Sequence, residues 1–392
     1  MDRDLNAAIN IKAFGRNNSM RKTFQYKAVI NKETERNAHE WLYLCRTLYN
    51  LALEQRISVY QQRKKGITCF DQGKQLPELK KAFPEFKQVG SQCLQDVLER
   101  LDKAYQHFFR RVKTGAEKAG FPRFQGKDFY NSFTLKQSGW KLEGRNLHIN
   151  NVGRFKLFLS RPVEGDIKTV TVKKQHDKWF VSFSCDNVPE KPLYKTGLQV
   201  GIDVGLKSFC VDSDGQAISN PKYFVSTEKE LRRKQRSLSR KKRGSSRRGQ
   251  ARIAVSKTCE KISNQRKDFL YKLANEYLKT YDTVYIEDLK VKQLLHNKYL
   301  NKHISDSSWS MFFNILEQKA LEYGKEIIRV NPRGTTQLCS QCGERVPKTL
   351  AVRIHKCPNC GLEMDRDLNA AINIKAFGQN AQASTLEVSG VA

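Results

Sequence analysis

Acidic side chains stand at the ends of two apolar strand patterns and at the start of a helical pattern. Asp203 follows Val200 and Ile202, and strand alternation places it on the opposite face from them. Glu287 ends a second run of this kind, Thr-Val-Tyr-Ile-Glu, while Asp365 and Asp367 precede a helical stretch rich in small residues. Each carboxylate alone could simply cap a strand, a turn or a helix. The three segments together indicate one acidic site at the edge of a sheet.

Converging carboxylates repel one another unless cations lie between them, and hard oxygen ligands favour Mg²⁺ or Mn²⁺. Two such ions about 4 Å apart can activate a water molecule and stabilise the leaving oxygen of a phosphodiester. The seven histidines form neither His-x-His nor His-Glu-x-x-His. This absence argues against a zinc protease and against a transposase with histidine-ligated metal.

Four cysteines form two Cys-x-x-Cys pairs, Cys339 with Cys342 and Cys357 with Cys360, separated by fourteen residues. This spacing is typical of a four-cysteine zinc ribbon, in which zinc is structural and His355 has no ligand role. Two disulfides or an iron-sulfur cluster are the alternatives. The six remaining cysteines are scattered singly, as expected of core residues in a reducing compartment.

The charge of the chain is far from neutral, with 71 Lys and Arg against 40 Asp and Glu, a net charge of +31. A polyanion is therefore the expected partner, and nucleic acid leads over an anionic membrane because the sequence has neither a long apolar span nor an amino-terminal signal. We therefore expect a soluble protein of the cytoplasm.

Residues 229–252 contain twelve Lys and Arg and one acid. Such a run can be a solvated tail, but leucines and an isoleucine punctuate it, which favours a long basic helix that binds phosphates. The predicted contacts are Arg232, Arg233, Lys234, Arg236, Arg240, Lys241, Lys242, Arg243, Arg247 and Arg248. A second basic segment, 120–134, is rich in aromatic residues that could stack on bases or form core, and the pattern alone does not separate these two roles.

The periodicity predicts the elements that position these side chains. A strand at 24–30 is followed by helical patterns, of which the clearest covers 91–112, and residues 132–187 alternate with a period of two. Beyond residue 197 strands and helices alternate, which indicates an α/β sheet layer. The expected fold is therefore a multidomain α+β and α/β protein: a wedge-like β-barrel with an inserted helical domain, then a sheet layer that carries the acids and an inserted zinc ribbon.

The domain boundaries follow from these changes of pattern. The barrel is predicted from 20–34 and 125–190, the inserted helical domain from 35–124, the acidic α/β domain from 198–335 and 364–378, the ribbon from 336–363, and a disordered tail from 379–392. Residues 1–15 repeat residues 364–378 identically. We interpret residues 1–19 as an extension without a catalytic role, because this copy lacks the preceding ribbon; a second acidic segment formed by Asp2 and Asp4 is the alternative.

Several motifs together resemble TnpB, the RNA-guided DNA endonuclease family of bacterial transposons related to type V CRISPR effectors. They are Phe-Phe-Arg-Arg at 108–111, Gly-Phe-Pro-Arg-Phe at 120–124, Gly-Ile-Asp-Val-Gly at 201–205, Leu-Ser-Arg-Lys-Lys at 238–242, Asn-Gln-Arg-Lys-Asp-Phe-Leu at 264–270, Ile-Glu-Asp-Leu at 286–289, the four-cysteine ribbon, and Asp-Arg-Asp-Leu-Asn-Ala-Ala at 365–371. The resemblance extends from about Met20 to Phe377, and it implies that the acidic domain is an RNase H-like RuvC nuclease domain.

The resemblance further implies Asp203, Glu287 and Asp367 as catalytic Mg²⁺ ligands, with Asp367 preferred over Asp365 because the acid of the family stands two residues before Asn-Ala-Ala. It implies a guide RNA from the transposon end and a double-stranded DNA target, which base pairing selects next to a short flanking motif. Gln92, Gln95 and Thr134 would contact that motif. A nuclease-inactive RNA-guided repressor and a strand-transfer transposase are the alternatives, but the order Asp, Glu, Asp favours hydrolysis.

Overall fold

The computed structural model describes residues 20–127, 129–349 and 352–389, so the predicted extension at residues 1–19 lies outside the described part. The chain divides into two compact units, with the boundary between Pro189 and Glu190. This boundary falls at the start of the Pro- and Gly-containing stretch 189–197, where the sequence pattern changes from strands to alternating strands and helices.

The first unit is built on a seven-stranded antiparallel, barrel-like sheet in the order β2-β6-β7-β1-β5-β4-β3. Its strands are β1 (Met20–Val29), β2 (Ser132–Leu135), β3 (Trp140–Glu143), β4 (Asn146–Ile149), β5 (Gly153–Leu157), β6 (Asp166–Gln175) and β7 (Lys178–Val188). Strand β1 pairs with β5 and β7 although more than a hundred residues separate it from them. Buried and half-buried residues alternate along most of β7, following the period of two in its sequence.

The helices of this unit are inserted between β1 and β2. They are α1 (Lys32–Arg63), α2 (Cys69–Lys74), α3 (Leu76–Ala82), a 3₁₀ helix (Pro84–Gln88) and α4 (Ser91–Lys113). Helix α1 begins where the Asn31 carboxamide accepts the N–H of Thr34 at 2.7 Å. The predicted helix 91–112 is confirmed as α4, whose apolar stripe packs with α1 and the sheet into one core.

The second unit contains a five-stranded sheet in the order β10-β9-β8-β11-β12. Its strands are β8 (Gln199–Val204), β9 (Ser208–Asp212), β10 (Ala217–Ser219), β11 (Thr283–Glu287) and β12 (Glu326–Val330). Strands β8, β9 and β10 form an antiparallel meander, and β11 and β12 add to β8 in parallel. Parallel pairing needs long crossovers, which the helices supply.

The helices of the second unit are α5 (Tyr223–Ser239), α6 (Ser246–Thr280), α7 (Val291–Leu294), α8 (Asn301–Ser307), α9 (Trp309–Tyr323) and α10 (Arg366–Ser389), and a small hairpin, β13 (Ile354–Lys356) with β14 (Glu363–Asp365), precedes α10. The predicted continuous basic helix is wrong, because the chain turns between α5 and α6 with Gly244 at φ +84. Helix α10 continues to Ser389, whereas the sequence predicted a disordered tail from residue 379.

These elements confirm the predicted fold class, a barrel-like sheet with inserted helices followed by an RNase H-like sheet layer. The barrel carries the period-two segments, and the sheet layer carries the acidic segments at the ends of its strands. Within the described residues, no helix is long and apolar enough to cross a membrane.

Candidate functional site

Asp203 lies near the end of β8, the strand at the centre of the five-stranded sheet. Asp203 is buried, with only 9% of its surface exposed. Burial raises the pKa of this carboxyl well above its usual range, and the nearby charges of Glu287 and Asp367 raise it further. Asp203 therefore lies at the meeting point of the three predicted acids.

Glu287 ends β11, the parallel neighbour of β8, so the sheet brings it to the same edge as Asp203. The buried hydroxyl of Thr335 donates a hydrogen bond to Glu287 Oε1 at 2.5 Å. Burial raises the pKa of Glu287, and this hydrogen bond partly offsets the rise. One carboxylate oxygen is thus fixed in place by the protein, and within the described residues Oε2 accepts no hydrogen bond, so it can take another ligand.

The third acid reaches this edge because α10 crosses β8 at very short range. A Cβ atom on Gly201 would stand 2.2 Å from the carbonyl oxygen of Ala371 and 2.7 Å from the backbone nitrogen of Lys375. Ala370 and Ala371 present no bulk at the contact and are fully buried. Small residues on both elements therefore determine how closely the helix carries Asp367 to Asp203.

Asp365 and Asp367 have different surroundings. Asp365 is exposed, and its Oδ1 accepts the backbone N–H groups of Asp367 at 2.8 Å and Leu368 at 3.3 Å, so it caps the start of α10. The carboxylate of Asp367 is only 15% exposed. This difference favours Asp367 as the third member of the acidic site.

Two arginines hold the carboxylate of Asp367. The guanidinium of Arg366 contacts Oδ1 at 2.8 Å, and Arg353 Nη1 lies 3.6 Å from Oδ2. Arg366 also lowers the pKa of Asp203, in opposition to the three acids around it. Arg366 and Arg353 therefore compensate part of the negative charge of the site. Burial disfavours the ionised forms of Asp203 and Glu287.

The three carboxylates form a donor set that suits a hard divalent cation. Asp203 and Glu287 are buried carboxyls with raised pKa values, and a cation between them would favour their ionised forms. The oxygens of the three acids are spaced more widely than the ligands of a closed metal site. Among the described residues, only the four ribbon cysteines form a group of three or more ligand atoms that all lie within 4.8 Å of one another. The wider spacing is physically reasonable because the carboxylates repel one another.

Another buried acid of the same sheet, Asp212, is structural. Its Oδ1 accepts the N–H groups of Asp214 at 3.1 Å and Gln216 at 2.9 Å, and the Tyr277 hydroxyl donates to Oδ2 at 3.1 Å. Both oxygens of this carboxylate are therefore engaged by the turn after β9 and by α6.

The four ribbon cysteines come together in two matching knuckles. Sγ of Cys339 lies 3.5 Å from that of Cys360, and Sγ of Cys342 lies 3.5 Å from that of Cys357. A tetrahedral zinc site with Zn–S bonds of about 2.3 Å requires edges of about 3.8 Å, so these separations fit one shared metal. They are too long for the bonded sulfurs of a disulfide, which lie about 2.05 Å apart.

The backbone repeats the same turn in each knuckle. Gly343 N–H donates to Cys339 O at 2.9 Å and Gly361 N–H to Cys357 O at 3.1 Å. Both glycines have a positive φ, +76 and +74, which explains the glycine after each cysteine pair. Hydrogen bonding from the backbone N–H of Glu344 lowers the pKa of the Cys342 thiol to about 7. In the other knuckle, a hydrogen bond from the backbone N–H of Leu362 is outweighed, and burial and hydrogen bonding with the other three cysteines raise the pKa of the Cys360 thiol to about 12. A bound cation would favour the thiolate form at all four positions.

Two asparagines on α10 fasten the start of the ribbon beside the acidic site. Asn369 Nδ2 donates to Leu338 O at 2.8 Å and its Oδ1 accepts Ser340 N–H at 3.0 Å. Asn373 Nδ2 donates to the carbonyls of Thr335 and Leu338, both at 2.8 Å. Our sequence reasoning missed Thr335, Asn369 and Asn373. The available signal was the pair of asparagines four residues apart in the otherwise apolar stretch 368–374.

The predicted phosphate-binding residues lie on the α5–α6 hairpin. A depression of about 630 Å³ on this hairpin is lined by Lys229 and by five of the predicted residues, Arg232, Arg233, Arg236, Arg240 and Lys241. Two predicted contacts also have intramolecular roles: Lys234 Nζ bonds Thr258 Oγ1 at 2.7 Å, and Arg248 Nη1 donates to Leu238 O and Lys241 O. They join the two helices and close the turn, so the basic face is held rigidly.

Asp306 fixes the start of this hairpin. Its carboxylate accepts the N–H groups of Phe224 at 2.9 Å and Val225 at 3.1 Å, in the first turn of α5, and pairs with Arg266 of α6 at 2.6 Å. An acceptor from α8 therefore caps α5 in place of a local cap residue.

The predicted flanking-motif residues lie together in the first unit, but two of them are engaged. Arg100 Nη2 donates to Thr134 Oγ1 at 2.7 Å, and Gln92 Oε1 accepts the N–H groups of Gln137 and Ser138. Gln95 is exposed on α4. Gln95 is thus the residue of the three whose side chain is most open to a partner, and the assignment stays a prediction.

Three family models match the chain. A model described as "Probable transposase" (OrfB_IS605) matches residues 170–298, one described as "Cas12f1-like, TNB domain" matches 309–374, and the "Helix-turn-helix domain" of OrfB_IS605 matches 20–65. In the structure, the last stretch consists of β1, α1 and the residues that flank them.

Relatives match over most of the chain. The "Putative RNA-guided DNA endonuclease" of Streptomyces pristinaespiralis is 31% identical over 374 residues, covering 93% of this chain and 91% of that protein. The "Putative RNA-guided DNA endonuclease InsQ" of Escherichia coli K12 is 28% identical over 354 residues, covering 85% and 86%. The fold also resembles a solved Cas12f1-sgRNA-target DNA complex, with a TM-score of 0.56 at 14% identity, covering 92% of this chain and 99% of the Cas12f1 chain.

Proposed function

The chain belongs to the TnpB family of transposon-encoded RNA-guided DNA endonucleases, and from this we propose that it hydrolyses target DNA with Mg²⁺ held by Asp203, Glu287 and Asp367. The observation that carries the proposal is the convergence of the three acids at one sheet edge, where the charges of Glu287 and Asp367 add to the effect of burial and raise the pKa of Asp203. Bound Mg²⁺ would supply an activated water and stabilise the leaving oxygen.

The residues of the chain have separate tasks in this site. Thr335 orients Glu287 through its 2.5 Å hydrogen bond, and Asp365 caps the start of α10. Gly201 allows α10 to approach β8, so that Asp367 reaches Asp203. The ribbon cysteines would hold a structural zinc, because four thiolates close the tetrahedral shell and leave no position for a substrate.

The partners we propose are a guide RNA and double-stranded DNA. Base pairing with the guide would select the target, while the protein would read a short flanking motif through the region of Gln92, Gln95 and Thr134. The basic face of the α5–α6 hairpin would bind phosphates without reading sequence. The net charge of +31 supports a polyanionic partner such as RNA or DNA.

The decisive experiment is cleavage of a plasmid that carries a guide-matched target, with Mg²⁺ present. Replacing Asp203, Glu287 or Asp367 with alanine removes a metal ligand, so cleavage should fall by orders of magnitude. Guide and target binding should persist, since the phosphate contacts come from lysines and arginines elsewhere.

The matched control is Asp365→Ala, which removes a helix cap two residues from Asp367 and should retain much more activity than Asp367→Ala. If Asp365→Ala is the inactive variant, the assignment of the third ligand is wrong. Binding without any cleavage by the unmodified protein would favour a repressor, and joining of DNA ends would favour a strand-transfer transposase.

A further inference from the structure

Aromatic side chains are exposed together at the end of α4 and on the loop that follows it. Phe109 is 59% exposed, Phe124 53% and Phe129 79%. Exposed phenylalanines in this number are costly unless a partner covers them. The surface formed by Phe109, Phe121, Phe124 and Phe129, here called the aromatic surface, belongs to the first unit, whereas the residues assigned to the acidic site belong to the second.

The inner part of the aromatic surface is a packed cluster. The Phe121 ring packs edge-on against Tyr105 and Phe108, with centroids 5.5 and 5.2 Å apart, and Phe109 lies 5.1 Å from Phe108. The guanidinium of Arg56 lies 5.1 Å from the Tyr105 ring. These contacts have the geometry of stable aromatic pairs, so this part of the loop has a defined position.

Hydrogen bonds at both ends hold the loop. Arg111 donates to the carbonyls of Ala119 and Gly120, and the Asn50 side chain forms a two-way pair with the backbone of Gln125 at 2.8 and 3.1 Å. Phe129 N–H donates to Gly126 O at 3.0 Å. The backbone on either side of Phe124 is therefore fixed by contacts to α1 and α4, and the exposure of its ring is built into the fold.

The outer rings have free faces. Among the described residues, neither Phe124 nor Phe129 contacts another aromatic ring or a cationic side chain. A Cβ atom on Gly126 would stand 3.3 Å from the Phe129 ring, so that ring rests against this glycine. A glycine at this position leaves room for the ring, and most of the ring surface remains open.

The charge around these rings is strongly positive. Residues 103–130 contain seven Lys and Arg and two acids, Glu117 and Asp128. Arg110, Lys113, Arg123 and Lys127 are exposed. Rings interleaved with cations suit a single-stranded nucleic acid, whose bases stack on the rings while its phosphates meet the cations. The depression on α5 differs, because basic residues and one serine line it and no aromatic residue does.

We propose that the aromatic surface binds an unpaired segment of the guide RNA by stacking bases on Phe124 and Phe129, an inference that rests on the proposed RNA-guided function. A duplex hides its base faces inside the stack and presents phosphates and groove edges, so it gains little from exposed rings. A folded RNA exposes unpaired bases before any target arrives. The DNA target exposes them only after it has been opened.

The first test compares two labelled probes on the full-length protein freed of nucleic acid: a uridine dodecamer RNA and an RNA duplex of equal length. Replacing both Phe124 and Phe129 with leucine should weaken dodecamer binding about tenfold or more and leave duplex binding nearly unchanged. Tyrosine at both positions should retain the binding, because it keeps the rings. Phe158→Leu is the matched control, since Phe158 is also exposed and Lys27 lies beside its ring.

The second test identifies the strand in the assembled complex. The guide RNA carries 4-thiouridine, or the DNA carries 4-thiothymidine, and peptides crosslinked by light are mapped by mass spectrometry. We expect guide crosslinks within residues 119–136 before target is added. Crosslinks from DNA alone would overturn the assignment to RNA.

Other outcomes would overturn the proposal as a whole. An equal loss of affinity for the dodecamer and for the duplex would show that the rings do not stack on bases and only support the folding or the charge of the surface. Loss of a protein dimer in the leucine variant, measured by sedimentation, would assign the surface to a second copy of the chain. The proposed function fails separately, if the unmodified protein neither copurifies with RNA nor cleaves a matched plasmid.

Discussion

Replacing Thr335 with valine removes the hydroxyl that orients Glu287 and changes the buried volume very little. Thr335 is only 1% exposed, and its Oγ1 lies 2.5 Å from Glu287 Oε1 and 3.1 Å from Pro332 O. An ionised Glu287 must accept from Thr335. Valine therefore removes the protein hydrogen bond that Oε1 of this buried carboxylate accepts.

The size of the effect follows from the kind of bond that is lost. A hydrogen bond to a charged group contributes about 1.5–3 kcal/mol, which corresponds to a decrease of about 10- to 150-fold if the whole bond is needed in the transition state. Because Glu287 is a proposed metal ligand, the Mg²⁺ concentration for half-maximal cleavage should also rise. Thr335→Ser keeps the hydroxyl and should remain close to the unmodified protein.

The assay is single-turnover cleavage of a guide-matched plasmid over a range of Mg²⁺ concentrations, with thermal melting of each variant alongside. A positioning role predicts that added Mg²⁺ restores part of the Thr335→Val activity, which a merely unfolded variant would not show. Unchanged cleavage and an unchanged Mg²⁺ requirement in Thr335→Val would refute the role assigned to this hydroxyl.

Three further predictions concern packing, pH and the ribbon. Gly201→Ala should lower both the melting temperature and cleavage, because its Cβ would stand 2.2 Å from Ala371 O; Gly249→Ala, with nothing within 4 Å, is the control that should melt normally. Burial raises the pKa values of Asp203 and Glu287 in the folded protein above their ordinary values of 3.8 and 4.5. Without divalent cations, protonation of these two groups therefore stabilises the fold fully below the ordinary pKa values, and this stabilisation is lost as the pH rises through the raised pKa values. Melting temperature should therefore increase on acidification from neutral pH, and Asp203→Asn should melt above the unmodified protein at neutral pH; a flat profile would contradict this. Metal analysis should find about one zinc per chain, and Cys357→Ser should lose it; active protein without zinc would exclude a zinc ribbon.

Local patterns in the sequence determined much of the architecture. The apolar stripe of 91–112 predicted α4 to within one residue at its end, and the alternation in 132–187 predicted the barrel-like sheet. Two cysteine pairs, each followed by glycine, predicted the ribbon, whose four sulfurs lie together. These features follow from the sequence because helix and strand periods, and the knuckle turn, depend on residues close in the chain.

The break in the basic helix was a different case. Residues 229–252 have a charge pattern that continues through the turn, but α5 ends at Ser239. The turn that follows contains Gly244 at φ +84, and Arg248 closes it by bonding the carbonyls of Leu238 and Lys241. Charge does not determine backbone direction, so the pattern predicted a basic surface but not its hairpin shape. The roles of Lys234 and Arg248 in joining the helices depended on the same turn.

Other features depended on contacts between distant segments. The local pattern treats Asp365 and Asp367 alike, and the resemblance to the family favoured Asp367. The tertiary structure gives the physical difference, because Asp365 caps the start of α10 whereas the carboxylate of Asp367 lies near Asp203. Thr335 meets Glu287 across 48 residues of chain. The aromatic segment 120–134 divides into exposed rings such as Phe124 and Phe129 and buried ones such as Tyr130 and Phe133. The residue types and their spacing therefore indicated which chemistry this chain can perform. Burial and the contacts between distant segments decided which side chains are placed to perform it. Burial and these contacts arise only when the chain has packed, so local patterns do not determine them.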